Sequence, residues 1–443
     1  MITFLKSIYL KPRLFYLLTG ISILFLISYW WQPLFGVVWI LITALTVLVL
    51  LDVSMLFSNS LLEGKRILPE KFSNSDDNEV AVALINKYTF KVNIAIIDEL
   101  PVQFQKRDFL KEITISAKEK TTFNYQVRPV ERGEYTFGNL NCYVSSVIGL
   151  VQKRYTFNSE QMVKVYPSFI QMRKHDFLAI DQRLSQTGLK KIRRIGHTME
   201  FEQIKEYVVG DDVRTINWKA TAKQAHLMVN QFQDEKMQPI YSIIDISRNM
   251  KMPFNGLKLV DYAINSTLAF SNIALKKNDK IGLLSFSNKI GSFLPAQSKK
   301  MYLNTILETL YNVDSKFLDA DFGRLQTMVK RKIPHRSLLM LYTNFEHISA
   351  LKRQLPYLLA IAKKHVLVVV FFENTEVSKL SNKKAENISE IVDQTIAQQF
   401  EFDKKLMIRE LQQRGIQTIY TTPENLTINT INKYLEIKSR GLL

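Results

Sequence analysis

The chain contains a single cysteine, Cys142, in 443 residues. No internal disulfide framework and no thiolate zinc site can be built from it, which suits a reducing compartment. The six histidines, His175, His197, His226, His335, His347 and His365, show no H-E-x-x-H or similar metal spacing. A G-x-S-x-G nucleophile elbow is missing, and so is a glycine-rich phosphate loop. What the sequence lacks therefore points away from catalysis and nucleotide binding, and towards binding of another protein.

The formal net charge is +18, from 59 Lys and Arg against 41 Asp and Glu. The basic residues are dispersed, and no RNA-recognition, zinc-finger or helix-turn-helix pattern accompanies them, so nucleic acid is not an expected partner. An anionic membrane surface accounts for the charge, because each nearby Lys or Arg is attracted to it. Hydrophobic residues make up 47% and aromatics 11%. That is ample for packed cores, and the length calls for several domains.

Two uncharged runs open the chain, Leu14 to Trp31 and Leu34 to Leu51. Each has roughly 18 residues, near the minimum that spans a hydrocarbon core of about 30 Å. Trp30-Trp31-Gln32-Pro33 between them suits a turn at headgroup level. Asp52 is placed near the interface, beyond the second run. Lys6, Lys11 and Arg13 precede the first run, and Lys65, Arg66 and Lys71 follow the second. By the positive-inside rule both termini face the cytoplasm. The immediate second run and the lack of an A-x-A-like site argue against a cleaved signal peptide. The expectation for residues 1–62 is a transmembrane helical hairpin, with two spans in the cytoplasmic (inner) membrane and lipid as its partner.

Residues 63–170 change to short alternating stretches, among them Val80–Ile85, Val92–Ile97, Thr122–Val127 and Met162–Tyr166. Asp98-Glu99-Leu100-Pro101 and Glu131-Arg132-Gly133-Glu134 mark turns. About seven strands in about a hundred residues suggest an antiparallel β-sandwich of immunoglobulin-like type, a spacer or docking module.

Residues 238–443 alternate strand with helix. Strands are expected at Pro239–Ser247, Lys280–Ser287, Ile290–Leu294, Ser337–Tyr342, His365–Phe372 and Ile416–Tyr420. Helices are expected at Leu257–Lys276, Lys300–Val313, Phe322–Lys332, Ile348–Lys364, Thr395–Gln413 and from Glu424 onwards. Near-continuous apolar strands joined by helices indicate a Rossmann-like α/β domain whose mostly parallel sheet is covered on both faces. Ligands of such sheets bind beyond the carboxyl ends of the strands. There the first strand gives Asp245-Ile246-Ser247-Arg248-Asn249-Met250. Alternating Asp, Ser and Asn can direct three oxygens at one point, as a hard cation such as Mg²⁺ or another divalent ion prefers.

D-I-S-R-N-M resembles the D-x-S-x-S of von Willebrand factor type A domains. Upstream, Gly196 to Lys223 reads G-H-T-M-E-F-E-Q-I-K-E-Y-V-V-G-D-D-V-R-T-I-N-W-K-A-T-A-K, and Asn230 to Glu235 reads N-Q-F-Q-D-E. This block resembles the signature of the bacterial "domain of unknown function" family number fifty-eight. The order of parts is similar too, including R-G-E-Y-T-F-G at Arg132 to Gly138. The likeness implies a von Willebrand factor type A-like domain at 238–443, preceded by a signature linker at 171–237. It also implies a MoxR-type AAA+ ATPase as partner, in assembly or maturation of other proteins. The implied metal site is degenerate. Asp245 and Ser247 match, whereas Asn249 replaces a second serine, Ala320 falls where a threonine is expected, and Thr343-Asn344 stands for Thr-Asp. Amide oxygens bring less negative charge, with Asp319 or Asp321 as compensating ligands.

The signature residues Glu200, Tyr207, Gly210, Asp211, Asp212, Arg214, Asn217, Trp218 and Lys219 admit two readings. They form a recognition face, with Trp and Arg as its energetic anchors. Or Gly210-Asp211-Asp212 makes a turn and helix start, Arg214 pairs with a carboxylate and Trp218 packs between domains. The packing role is preferred. The expected function is a membrane-anchored cytoplasmic protein-interaction adaptor. A hydrolase built on Glu200 with Asp211 or Asp212 is the alternative, and a basic nucleic-acid binder ranks third.

Overall fold

Proline opens both apolar helices, at positions where its missing N–H costs nothing. Helix α1 is Pro12–Ile27 (16 residues) and α2 is Pro33–Phe57 (25 residues). At 1.5 Å per residue these are about 24 and about 38 Å long. Only α2 is long and apolar enough to cross a membrane, among the residues that the structure, a computed structural model, describes. Those are 6–58, 62–106, 108–157, 160–173, 200–209, 211, 213–233, 239–315, 317–383 and 387–442. Two units, 1–166 and 167–443, follow from the contacts.

The second apolar run does not stop at Leu51. Its helix continues because Asp52 has partners: the buried carboxylate accepts from the Ser146 hydroxyl and from the Leu150 and Val151 N–H groups, the latter two at 2.9 Å. The last turn is closed by side chains from the β-rich part. Leu56 O accepts from Tyr88 Oη at 3.0 Å and from Lys153 Nζ at 3.3 Å, satisfying a carbonyl that the helix leaves free. Along both helices Tyr16, Leu26, Ile40 and Leu50 stand open on the outside, as do Trp30 and Trp31 between them.

The rest of the first unit is β-rich. Its strands are β1 (Ile8–Leu10), β2 (Leu62–Ile67), β3 (Lys71–Ser73), β4 (Asn78–Asn86), β5 (Val92–Asp98), β6 (Lys111–Ile115) and β7 (Lys120–Val127). They continue with β8 (Gly133–Phe137), β9 (Leu140–Ser145), β10 (Val151–Phe157) and β11 (Gln161–Tyr166). Three sheets result, ordered β1-β10-β9-β5-β6, β2-β4-β7 and β3-β11-β8. Pairing is antiparallel except for β3 with β11. Strand β4 shows the cause of the layering: Val80, Val82 and Leu84, at period two, are fully buried. Val82 and Leu84 share one core with Ile94, Ile96, Cys142 and Val144 of the five-stranded sheet, and with Leu14, Leu45 and Leu56 of the helices. Burying each such side chain stabilises by about 1.5–3 kcal/mol.

Arg66 corrects the charge reading of the membrane flank. It is buried, pairs with Asp98 at 2.5 Å, donates to Gly138 O at 3.0 Å and lies over the Phe137 ring. Asp98 also accepts from Tyr125 Oη at 2.6 Å. This cation is a core element of the β-rich unit, and the helix ends are flanked instead by Lys11, Arg13 and Lys153.

In the second unit an antiparallel pair, β12 (Glu200–Glu206) and β13 (Met228–Gln233), encloses the short helix α3 (Trp218–Gln224). Then come β14 (Pro239–Asp245), a two-residue ribbon of β15 (Pro253–Phe254) and β16 (Leu257–Lys258), and helix α4 (Leu259–Lys276). Strand β17 (Lys280–Phe286), β18 (Ile290–Gln297), α5 (Tyr302–Tyr311), α6 (Phe322–Lys332), β19 (Leu338–Tyr342) and α7 (Ile348–Ala362) follow. The chain ends with β20 (Val366–Phe372), α8 (Thr375–Asn382), α9 (Ile388–Gln413), β21 (Gln417–Thr421) and α10 (Leu426–Ser439). The sheet order is β18-β17-β14-β19-β20-β21, parallel apart from the edge strand β18. In chain order that is third, second, first, fourth, fifth, sixth, the doubly wound arrangement. Helix α4 is buried on nearly every side, as a helix covering the middle of a sheet must be. Helix α8 is short and polar, and the sequence pattern does not announce it.

Candidate functional site

The sheet reverses its winding at β14, so the loops after β14 and β19 leave a crevice at the carboxyl edge. Asp245, the last residue of β14, is 1% exposed. Its Oδ1 accepts from the Ser247 N–H at 2.8 Å and its Oδ2 from the Thr343 hydroxyl at 2.7 Å. Burial pushes its pKa up, and hydrogen bonds from Thr343 and from the Ser247 N–H and hydroxyl oppose the shift. The Ser247 hydroxyl is fully buried beside this carboxylate. The structure thus gathers Asp245, Ser247 and Thr343 into one cluster.

The two asparagines turn elsewhere. Asn249 Nδ2 reaches Asn344 O at 3.4 Å, and Asn344 Oδ1 accepts from Lys404 Nζ at 2.6 Å. Lys404, on α9, also donates to Phe345 O at 2.5 Å. Burial lowers its pKa to about 8, with Glu346 pulling the other way. An ammonium therefore occupies the neighbourhood in which the resemblance implies a carboxylate and a divalent cation. Neither compensating acid is at hand: Asp319 pairs with Arg248 at 2.9 Å on the surface, and Asp321 caps α6 by accepting from Arg324 N at 2.9 Å. Ala320 packs against the apolar core. One carboxylate, two hydroxyls and a resident lysine make a poor donor set for a hard divalent ion, which needs several anionic oxygens. Among the described residues no group of three or more His, Cys, Asp or Glu side chains could hold a metal.

Beside this apex lies a cavity of about 500 Å³, bounded by the 252–254 turn, the ends of β19, β20 and β21, and helix α9. Asn255 and Gly256, at φ 47° and 79°, let β15 fold back on β16, as a two-residue hairpin turn with positive φ requires. Glu373 and Glu401 of the lining both act on Tyr420, whose phenol is pushed up to about 12, by burial first and those charges second. The sequence reading missed Lys404, Glu373 and Glu401. The adjacent Asn255-Gly256 pair was a local signal for the turn, whereas Lys404 had none, standing 60 residues from its partner.

The signature block behaves differently from the favoured expectation. Trp218 does not pack between domains: it is 70% exposed at the start of α3. Asn217 caps that helix, accepting from Ala220 N at 3.0 Å, and donates to Asn230 Oδ1 at 2.9 Å. Asp211 closes a turn by accepting from the Val208 N–H and pairs with Lys205, both at 3.0 Å. These contacts, the backbone bond first, lower its pKa. Tyr207 N bonds Leu227 O at 2.8 Å, and Lys219 is exposed. Gly210 and Asp212 lie outside the described residues, as do the side chains of Glu200 and Arg214.

Cys142 is a buried thiol of the first unit, pushed up to about 12 mainly by burial, and so a structural residue.

Residues 203–411 match the family described as Protein of unknown function DUF58. Over 128 residues the chain is 25% identical to the uncharacterized protein YeaD of Bacillus subtilis (strain 168), covering 29% of this chain and 32% of that protein. The chain thus spans about a third of the length of that curated relative. Similar solved structures include the conserved hypothetical protein BatB from Bacteroides thetaiotaomicron (TM-score 0.28, 13% identity, 46% of this chain and 99% of that one). Another is the CARDB domain of a Pyrococcus furiosus protein (TM-score 0.18, 15% identity, 24% and 91%). At these scores neither carries an argument. Residues 203–411, which hold most of the β12–β13 pair, the Asp245 apex and nearly all of α9, are similar to the DUF58 family of proteins of unknown function.

Proposed function

We propose that this chain is a membrane-anchored adaptor whose α/β domain binds another protein at the carboxyl edge of its sheet. The observation that carries this reading is the apex itself. Among the described residues a buried carboxylate is held by Thr343 and Ser247 alone, with no metal-ligating partner, next to a formed cavity. A buried charge costs stability, and a docking site is one reason to keep it. The sheet order, with a single antiparallel edge strand, supports a von Willebrand factor type A-like fold for this domain. The paired sheets of the first unit support an immunoglobulin-like sandwich.

The anchor is read as two spans in the cytoplasmic membrane, with both termini and the bulk in the cytoplasm. Lys11 N bonds Leu150 O, and Asp52 accepts from Leu150 and Val151, so both helices leave the β-rich part at one loop. Residues 28–32 at the far end carry no charge and expose Trp30 and Trp31, which suits an interface. The partner that the family resemblance implies is a MoxR-type AAA+ ATPase. With Lys404 in place, docking needs no divalent ion.

The test is affinity capture of the full chain from detergent-solubilised membranes, with and without EDTA. A stoichiometric AAA+ ATPase retained in EDTA, and reduced about tenfold or more by Asp245→Asn, supports the reading. Capture abolished by EDTA, or indifferent to Asp245→Asn, contradicts it.

A further inference from the structure

The cavity beside the apex inverts the charge of the chain. The sequence holds 59 Lys and Arg against 41 Asp and Glu, yet four glutamates, Glu346, Glu373, Glu376 and Glu401, line this recess against one cation, Lys404. That ammonium is engaged by Asn344 Oδ1 and Phe345 O and is attracted by Glu346, so the lining as a whole keeps an excess of negative charge around Glu373, Glu376 and Glu401. The same recess presents the rings of Phe254, Phe372, Phe400 and Tyr420. Aromatic faces attract a cation, but they offer nothing to a bare metal ion that needs several oxygens. At about 500 Å³ the space exceeds a single ammonium, and it suits a long apolar stem with a charged head. A guanidinium meets the acidic side best, because its planar fork can bond two carboxylates at once.

Resting on the adaptor reading, we infer that this cavity receives an arginine side chain of the partner polypeptide. The head lies at Glu373 and Glu401, and the stem lies along Phe254 and Phe400. The apex then supplies hydrogen bonds to the partner's backbone, and the cavity supplies selectivity for one residue type. The partner is thereby defined chemically as a protein with an exposed arginine on an extended loop or terminus.

The test uses the full chain in detergent and a labelled Gly-Ala-Arg-Ala-Gly peptide, followed by fluorescence anisotropy. Counterparts carry lysine, citrulline or glutamate at the centre. The arginine peptide should bind, and citrulline, which keeps the shape and loses the charge, should bind at least about tenfold more weakly. Glu373→Gln combined with Glu401→Gln should remove a similar factor. Glu410→Gln, which on the same helix only breaks a pair with Arg414, should bind as the wild type does. Should the double variant fail to fold, Glu376→Gln and Phe400→Leu take its place, each expected to weaken the arginine peptide about threefold or more. Equal binding of the arginine and citrulline peptides overturns the assignment. So does unchanged binding in the cavity variants, or no binding up to about 10 mM. Failure of the two readings is distinguishable. Peptide binding without ATPase capture removes the proposed partner, whereas capture without arginine selectivity removes the cavity assignment alone.

Discussion

Two sites, one in each unit, handle a buried cation in opposite ways. In the β-rich unit Arg66 meets Asp98 directly, with Gly138 O and Tyr125 Oη completing the set, and Asp52 accepts three hydrogen bonds. At the α/β apex Asp245 is held by Ser247 and Thr343, and Lys404 has neutral oxygens as acceptors. A cation paired with a carboxylate fixes a structure, while one held by neutral oxygens keeps its charge available to a ligand. The contrast is one of sites, since Asp279 of the α/β unit pairs with Lys438 at 2.9 Å and accepts from Tyr434 Oη.

The largest effect should come from breaking the satisfied side. Asp98→Ala leaves a buried guanidinium without its carboxylate and should cost about 3–5 kcal/mol. Cys142, the single thiol and buried in the same core, reports it directly: its labelling by a thiol reagent under native conditions should speed up by two orders of magnitude or more. Unchanged labelling would mean that the pair contributes little.

Next in size is Lys404. In the unfolded chain it titrates near 10.5 and in the folded state near 8. Its folded pKa is depressed, so the folded state binds fewer protons between those values and stability rises with pH across that window. The full gain is about 3 kcal/mol. Urea unfolding of the α/β unit should show that rise in the wild type, and Lys404→Met should flatten it. Parallel slopes in both would place the lysine in water.

Asp52→Asn is smaller. The amide keeps one acceptor oxygen and gives up charge-assisted bonds, for an expected cost of about 1–2 kcal/mol, again read by Cys142 labelling. Smallest is Asp245→Asn, expected to change stability by less than about 1 kcal/mol, because burial already penalises the charge. Its effect belongs to binding. Should Asp245→Asn unfold the domain as severely as Asp98→Ala does the first unit, the contrast between the two would disappear.

The sequence revealed what depends on local pattern. Helix Phe322–Lys332 was legible to the residue, because Asp321 caps it and its apolar positions recur at helical spacing. The strands of the central sheet were legible as apolar runs, and Asp245, Ser247 and Thr343 could be grouped through a motif. Long-range pairing was not legible. Arg66 read as a membrane-flanking cation until Asp98, 32 residues on, was seen beside it. Asp52 read as an interfacial charge because its donors lie 94 to 99 residues away. Trp218 read as a packing residue because exposure leaves no periodic trace. Lys404 was one of three basic residues among five acidic ones in its helix until the fold set it against Asn344.

The central claim is that the α/β apex, with its lysine in place of a metal, is where a partner docks. Hydrogen–deuterium exchange of the detergent-solubilised chain, alone and with the captured ATPase in EDTA, tests it most directly. Slowed exchange confined to residues 246–254, 343–347 and 372–377 is the predicted result. Protection restricted to the β-rich unit or to the 200–233 hairpin would contradict it.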